Sequence, residues 1–283
     1  MIVVKIKAGL GNQMFQYAIA RRLSLDWNDE LKFDLSWFQN IKNNETPRVV
    51  GIDKFKIDLV EATNQEKKRA LTCSVSKIIS QIRARLDRNY FYHFHSELLK
   101  KKNNVYLDGY FQSYKYFDSI RNMLLKNFVL KNDYSQEAQK IKNNIELSGE
   151  SVAFHVRRGD YASSCKNWNG LCDVKYYHQG LIEIKKKYPK VKLFIFSDDI
   201  VWAQENLKFD SPMVFVSRLT ISDTEELMLM SLCKHQIIAN STFSWWGAWL
   251  NQNPHKIVIA PSRWLLAVNI DTSELLPSEW III

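Results

Sequence analysis

Long apolar runs are missing from this chain. No stretch of the 283 residues approaches the ~18 uninterrupted apolar positions of a membrane span. Met1-Ile2-Val3-Val4-Lys5 is too short for the core of a signal peptide. Nothing directs the chain across a membrane, so a cytoplasmic protein is expected. Cysteine is scarce as well: Cys73, Cys165, Cys172 and Cys233 are scattered, Cys165 and Cys172 match no zinc spacing, and no histidine pair sits at ligand spacing. Free thiols in a reducing compartment are the expectation. The sequons Asn44-Glu45-Thr46 and Asn240-Ser241-Thr242 carry little weight without a secretory signal. Internal repeats, low-complexity tracts and Asp-x-Asp motifs are all absent.

What is present is globular. The chain is 46% hydrophobic and 24% charged, which excludes general disorder. Its length suits two domains of ~130–150 residues each. The net charge of +9 is mostly local, because ten Lys/Arg stand against three acids between Glu66 and Lys102. A basic island implies one surface with an anionic neighbour, whereas nucleic-acid binding would rest on charge alone, with no recognisable module. Within the island Val75, Ile78, Ile79, Ile82 and Leu86 recur at helical spacing, Arg83 and Arg85 flank them, and Tyr90, Phe91, Tyr92 and Phe94 follow. Two readings stand: a helix packed on the N-terminal domain, or peripheral contact with anionic membrane through 75–94.

Ile2–Ile6 reads as a strand, Lys7-Ala8-Gly9-Leu10-Gly11-Asn12 as a turn and Gln13–Leu25 as a helix, the opening of an α/β unit. The charged middle, 40–104, has no clear pattern. From Ser151 the pattern is regular, with strands at Val152–Val156, Leu193–Phe196, Met213–Val216, Gln236–Ala239 and Ile257–Ala260. Helices at Tyr176–Lys187 and Asp223–Lys234 lie between them, the second opening on the capping box Ser222-Asp223-Thr224-Glu225. Short apolar strands alternating with helices mean a parallel, doubly wound sheet. The break near 140–150 divides the chain into domains 1–145 and 146–283.

Ligands bind beyond the carboxyl ends of such strands, and three polar clusters follow strands here: Arg157-Arg158-Gly159-Asp160, Ser197-Asp198-Asp199 and Asn240-Ser241-Thr242. Gly9 and Gly11 begin a dinucleotide fingerprint, but its third glycine would fall on Met14, which argues against nicotinamide or flavin. They read either as a plain turn or as a close backbone approach to a ligand, with Asn12 and Gln13 supplying amides. Arg157 and Arg158 suit a bidentate grip on a diphosphate, and without Asp-x-Asp they are the available cations. The alternative, an Arg–Asp ion pair on a surface loop, fits one arginine better than two. Ser197-Asp198-Asp199 serves either a nucleotide or the N-cap of a helix beginning near Ile200. The hydroxyls of Ser241, Thr242 and Ser244, with free helix-start amides, form a candidate phosphate cup. Trp245 and Trp249 lie four apart and read as core, whereas Trp246 reads equally as core or as a sugar platform.

Taken in series, Gly9-Leu10-Gly11-Asn12-Gln13-Met14-Phe15-Gln16-Tyr17-Ala18, His155-Val156-Arg157-Arg158-Gly159-Asp160-Tyr161, Phe196-Ser197-Asp198-Asp199 and Ala239-Asn240-Ser241-Thr242-Phe243-Ser244-Trp245-Trp246-Gly247 resemble the alpha-1,2-fucosyltransferases of glycosyltransferase family 11. Their order and spacing fit along essentially the whole chain. The resemblance implies an α/β fold of two Rossmann-like domains, the GT-B type, with the active site in the cleft between them. It implies an acceptor-facing N-terminal half and a C-terminal half that binds GDP-fucose. It also implies inverting transfer to the 2-hydroxyl of a galactoside, without a metal or other cofactor. Arg157 would grip the diphosphate, and His155 and Arg158 would line the same site. Gly11, Asn12, Gln13, Asp198, Asn240, Ser241, Thr242 and Ser244 complete the donor-binding set. Asp160 is the candidate base, or equally the ion-pair partner of the arginines. Lacking the anchor and extensions of animal relatives, the chain is expected to build bacterial surface polysaccharide, with a galactose-containing and in some settings lipid-linked acceptor. The alternatives are another linkage, another GDP-sugar, or a non-catalytic nucleotide-sugar or glycan-binding protein. The last would need the arginine pair or the hydroxyl cup to be missing, and both are present.

Overall fold

The computed structural model describes residues 1–39, 47–73, 93–100, 104–159, 170–218, 220–265 and 271–283. Asp160 and nearly all of the basic stripe through 75–94 lie outside the described residues. The chain forms two compact units, Met1–Lys131 with Ile270–Pro277, and Asn132–Asn269 with Ser278–Ile283.

In the first unit β1 (Ile2–Lys5) is the middle of three parallel strands, between β2 (Leu31–Asp34) and β3 (Val105–Leu107). Ile2, Val3 and Val4 are all fully buried, because a strand covered on both faces needs apolar side chains at every position. Helix α1 (Leu10–Trp27) follows and buries Met14, Phe15, Tyr17, Ala18, Ile19 and Leu23. It ends where Asn28 turns left-handed, at φ 49°, and its N–H bonds back to Ser24 and Leu25. Helix α2 (Asn64–Cys73) sets Ala70 against Val3 and Tyr106. The C-terminal segment returns to this unit: Glu274 accepts the Phe94 N–H at 2.6 Å and pairs with Lys115 at 2.8 Å.

The second unit is a six-stranded parallel sheet in the order β6-β5-β4-β7-β8-β9. Its strands are β4 (Ser151–Val156), β5 (Lys192–Ser197), β6 (Met213–Phe215), β7 (His235–Ile237), β8 (Val258–Ala260) and β9 (Ile281–Ile282). After α3 (Arg121–Asn127) of the first unit, the helices are α4 (Gln136–Glu146), α5 (Val174–Lys187), α6 (Ile200–Asn206), α7 (Asp223–Leu232) and α8 (Thr242–Leu250). Alternate strand residues enter different cores. Phe154, Leu193 and Ile195 join Leu181 of α5 and Ala203 of α6, while Ala153, Phe194 and Phe196 join Ile141 of α4 and Met230 of α7. Helices therefore cover both faces, as the doubly wound reading requires.

The division falls at Lys131/Asn132, ahead of the 145/146 boundary read from the sequence. The reason is α4, whose Ala138, Ile141 and Ile145 belong to the second unit's core. Trp245, Trp246 and Trp249 are all buried, so Trp246 is core and no sugar platform. Gly247 lets α8 approach α7 closely, since a Cβ there would lie 3.0 Å from Met230 Cβ. Cys172 and Cys233 are free thiols.

Candidate active site

In an open parallel sheet the ligand crevice lies beyond the strands' carboxyl ends, where the direction of winding reverses. From β4 the chain winds outward through β5 and β6, then crosses back to β7 and continues through β8. The reversal therefore lies between β4 and β7, the strands that lead into His155–Gly159 and Asn240–Thr242.

Both arginines are fixed by the end of β5. Arg157 Nη1 lies 2.8 Å from Asp198 Oδ2, and the Arg158 backbone N–H donates to Asp198 Oδ1 at 2.8 Å. Arg158 Nε reaches Asp199 Oδ2 at 3.4 Å, and its guanidinium stacks 3.9 Å over the Trp202 ring. Gly159 is required by this packing, because a Cβ there would stand 2.5 Å from Asp198 Oδ2. Asp198, read as a nucleotide contact, thus has a different observed task, holding Arg157 and the backbone beside it. Asp199 caps α6 by accepting the Trp202 N–H at 3.1 Å, as the N-cap reading expected. Each arginine of the pair has its own carboxylate, so the ion-pair reading and the diphosphate reading are compatible. The carboxylates orient the forks.

His155 lies on β4 and is buried. Burial, followed by the charge of Arg157, lowers its pKa to about 3 and keeps the imidazole neutral. Its Nδ1 is buried without a hydrogen-bond partner, an arrangement that native proteins rarely keep without a functional reason. From β7, Asn240 donates to the Trp264 carbonyl at 2.9 Å, Ser241 caps α8 by accepting the Phe243 N–H, and Ser244 is fully buried against the Ala239 and Ser241 carbonyls. Of the expected hydroxyl cup, Ser241 and Ser244 build the turn, and Thr242 is the partly exposed hydroxyl at its rim.

Gly11, Asn12 and Gln13 belong to the first unit. Gln13 is buried with its amide fully engaged. Nε2 donates to the Ala8 and Val49 carbonyls, and Oε1 accepts from Gly51 and Ile52. It clamps the segment 49–52 to the start of α1, which is a structural task in place of the expected donor contact. Asn12 Oδ1 accepts from Gln112 at 2.7 Å, and Gly11 is buried. The left-handed residue of this turn is Ala8 at φ 65°, whereas Gly9 is at φ −73°. The carboxyl edge of this sheet also carries Lys7, which pairs with Asp108 at 2.6 Å beside Tyr110.

Sequence reasoning passed over Glu226, on the first turn of α7. Its Oε2 accepts the Ser217 hydroxyl at 2.9 Å, and Ser217 Oγ accepts the Ser197 N–H at 2.8 Å. Burial first, and then the charges of Asp223 and Asp198, push this carboxyl up to about 7 despite the Ser217 bond. The sequence signal was weak because Glu226 follows the capping glutamate Glu225 and looks like ordinary helix-start acidity. Among the described residues no three His, Cys, Asp or Glu side chains gather as a cation site.

Comparison with known proteins places this geometry. The family model described as Glycosyl transferase family 11 matches residues 1–283. The O-antigen biosynthesis glycosyltransferase WbnK of Escherichia coli is 32% identical over 303 aligned positions, covering 98% of each chain. An alpha-1,2-colitosyltransferase of the same organism is 31% identical over 99% of this chain and 98% of its own. Galactoside alpha-(1,2)-fucosyltransferase 2 of Pongo pygmaeus is 31% identical over 52% of this chain and 45% of its own. Among solved structures the fucosyltransferase NodZ from Bradyrhizobium superposes with a TM-score of 0.54 at 14% identity, covering 87% of this chain and 92% of that one. With two parallel α/β units on the page, that likeness establishes the GT-B type of fold. The chain is a glycosyltransferase and belongs to glycosyl transferase family 11.

Proposed function

We propose that this enzyme transfers L-fucose from GDP-beta-L-fucose to the 2-hydroxyl of a beta-galactoside, with inversion, during assembly of a bacterial surface polysaccharide. One observation carries the reading. Two arginines, each oriented by its own carboxylate, stand at the reversal point of a doubly wound sheet. The relatives support the sugar and the linkage, since alpha-1,2 transfer appears in the names of two of them and O-antigen synthesis in that of a third.

In this reaction the acceptor oxygen bonds to the anomeric carbon while the bond from that carbon to the diphosphate oxygen breaks. The electron pair leaves with GDP, and the acceptor proton passes to a base, for which Asp160 is our candidate. Negative charge grows on the departing diphosphate, where preoriented guanidinium forks stabilise it without reorganisation. We therefore propose that no metal is required. The first unit takes the acceptor, with Lys7, Asp108 and Tyr110 supplying polar and aromatic groups at its carboxyl edge. No helix among the described residues is long and apolar enough to cross a membrane. Action at the cytoplasmic face on a lipid-linked acceptor, with peripheral contact through 75–94, remains part of the proposal.

A second reading, transfer of colitose, is favoured by the 31% identical colitosyltransferase. The test is incubation with each GDP-sugar and a panel of beta-galactosides, followed by mass spectrometry and linkage assignment. Fucose on the galactose 2-hydroxyl is expected. Transfer only from the colitose donor, or to another hydroxyl, would replace the reading.

A further inference from the structure

Glu226 has no task in the fold or in the transfer step. The capping box of α7 is made by Ser222 and Glu225, with Glu225 also accepting from the Ser135 N–H on α4. Glu226 stands beside it and faces the strand ends. Through Ser217 it is one hydroxyl away from Ser197, the last residue of β5, and Ser197 directly precedes the two aspartates that hold the arginines. Glu226 thus belongs to the same hydrogen-bonded array as Arg157 and Arg158. Among the described residues it has no ion-pair partner, and Oε1 makes no hydrogen bond. A partly buried carboxylate without a cation destabilises a fold, so packing alone gives no reason for it.

We propose that Glu226 reads the base of the donor nucleotide, accepting the N1–H and the exocyclic N2–H of guanine on its two carboxylate oxygens. The inference rests on the GDP-sugar reading above and adds the residue that selects the nucleotide. A carboxylate repels the diphosphate, so it must face hydrogen-bond donors. The Watson–Crick edge of guanine presents two adjacent N–H groups side by side, the pattern that a carboxylate accepts from a guanidinium fork. Adenine turns a ring acceptor toward the same place, and uracil flanks its single N–H with carbonyl oxygens. Either would leave the carboxylate facing a lone pair, so one residue attracts guanine and rejects the others. The Ser217 hydroxyl fixes Oε2, and a carboxylate oxygen has lone pairs for a second donor.

Calorimetry at pH 8 with GDP, inosine diphosphate and 2′-deoxy-GDP tests this on the full chain and on Glu226→Gln. Inosine diphosphate lacks only the 2-amino group. The wild type is expected to prefer GDP to inosine diphosphate by ~10-fold, as charge-assisted hydrogen bonds imply. Glu226→Gln should lose ~10²-fold in GDP affinity. Its preference for GDP over inosine diphosphate should fall close to one, while its preference for GDP over 2′-deoxy-GDP stays that of the wild type. A folded variant that keeps the preference over inosine diphosphate overturns the inference while leaving the donor reading intact. Collapse of the 2′-deoxy-GDP preference instead overturns it by assigning the carboxylate to the ribose. A wild type that binds no GDP removes the donor reading and this inference together. If Glu226→Gln fails to fold, Glu226→Asp keeps the charge but shortens the reach, and its weakened preference over inosine diphosphate gives the same readout at smaller amplitude.

Discussion

Replacing Glu226 by Gln should stabilise the nucleotide-free enzyme at alkaline pH and leave it unchanged in acid. The folded protein holds this carboxyl at about 7, against an ordinary value of 4.5. Below the unfolded value the group is protonated in both states and contributes nothing. As pH rises through the folded value, the unfolded chain ionises freely while the native state must ionise beside Asp198 and Asp223, out of contact with most water. Stability is therefore lost between these two pH values, the opposite of the trend for a carboxylate held by a cation. At about 1.4 kcal/mol per pKa unit the ceiling is about 3 kcal/mol, and residual solvent contact reduces the expectation to about 2 kcal/mol. Gln keeps the shape and removes the charge. Urea unfolding of both proteins at pH 5, 6, 7 and 8 measures the difference, from which all other titrating groups cancel. A near-zero difference at pH 5 that grows to about 2 kcal/mol in favour of Gln at pH 8 is expected. A pH-independent difference, or a variant that is less stable at pH 8, would refute the argument. Higher stability combined with weaker GDP binding is the signature of a group kept for function at the expense of the fold.

Arg157→Lys should lower turnover by ~10²–10³-fold in a folded protein, because a point charge cannot replace the fork; near-normal turnover would exclude the assignment. Asp198→Asn should weaken the anchor of the same guanidinium and lower turnover by ~10-fold, with acceptor KM unchanged in steady-state kinetics. Gln13→Ala should destabilise the first unit by about 2–4 kcal/mol in urea unfolding, since several buried backbone groups lose their partner, and should leave GDP affinity intact by calorimetry. EDTA should leave activity largely unchanged in a transfer assay; loss that Mg²⁺ or Mn²⁺ restores would reassign the leaving-group stabilisation.

Much of the second unit was legible because its strands are continuous apolar runs closed by polar residues. Val152–Val156 and Leu193–Phe196 read from sequence fall within Ser151–Val156 and Lys192–Ser197, and the capping box at Ser222 and Glu225 forms as read. β2 and β3 were not legible. They are four and three residues long, too short for a period, and they become strands by pairing with β1 from positions far along the chain. The domain break was misplaced for a related reason: the spaced apolar residues of α4 are outnumbered by its polar ones, and only the core they enter shows which unit owns them.

The sequence by itself determined the parallel α/β class, the polar strand ends and the family, because these depend on the order of residues along the chain. Tertiary structure alone decided what each polar side chain does. Asp198 and Gln13 look like ligand contacts in a motif, yet they are held by an arginine and by backbone groups that lie dozens of residues away. Glu226 looks like helix-start acidity, yet it lies one hydroxyl from the end of β5. A side chain's chemistry is set by its neighbours in space, through burial, charge and unmet hydrogen bonds, and those neighbours exist only once the sheet has formed.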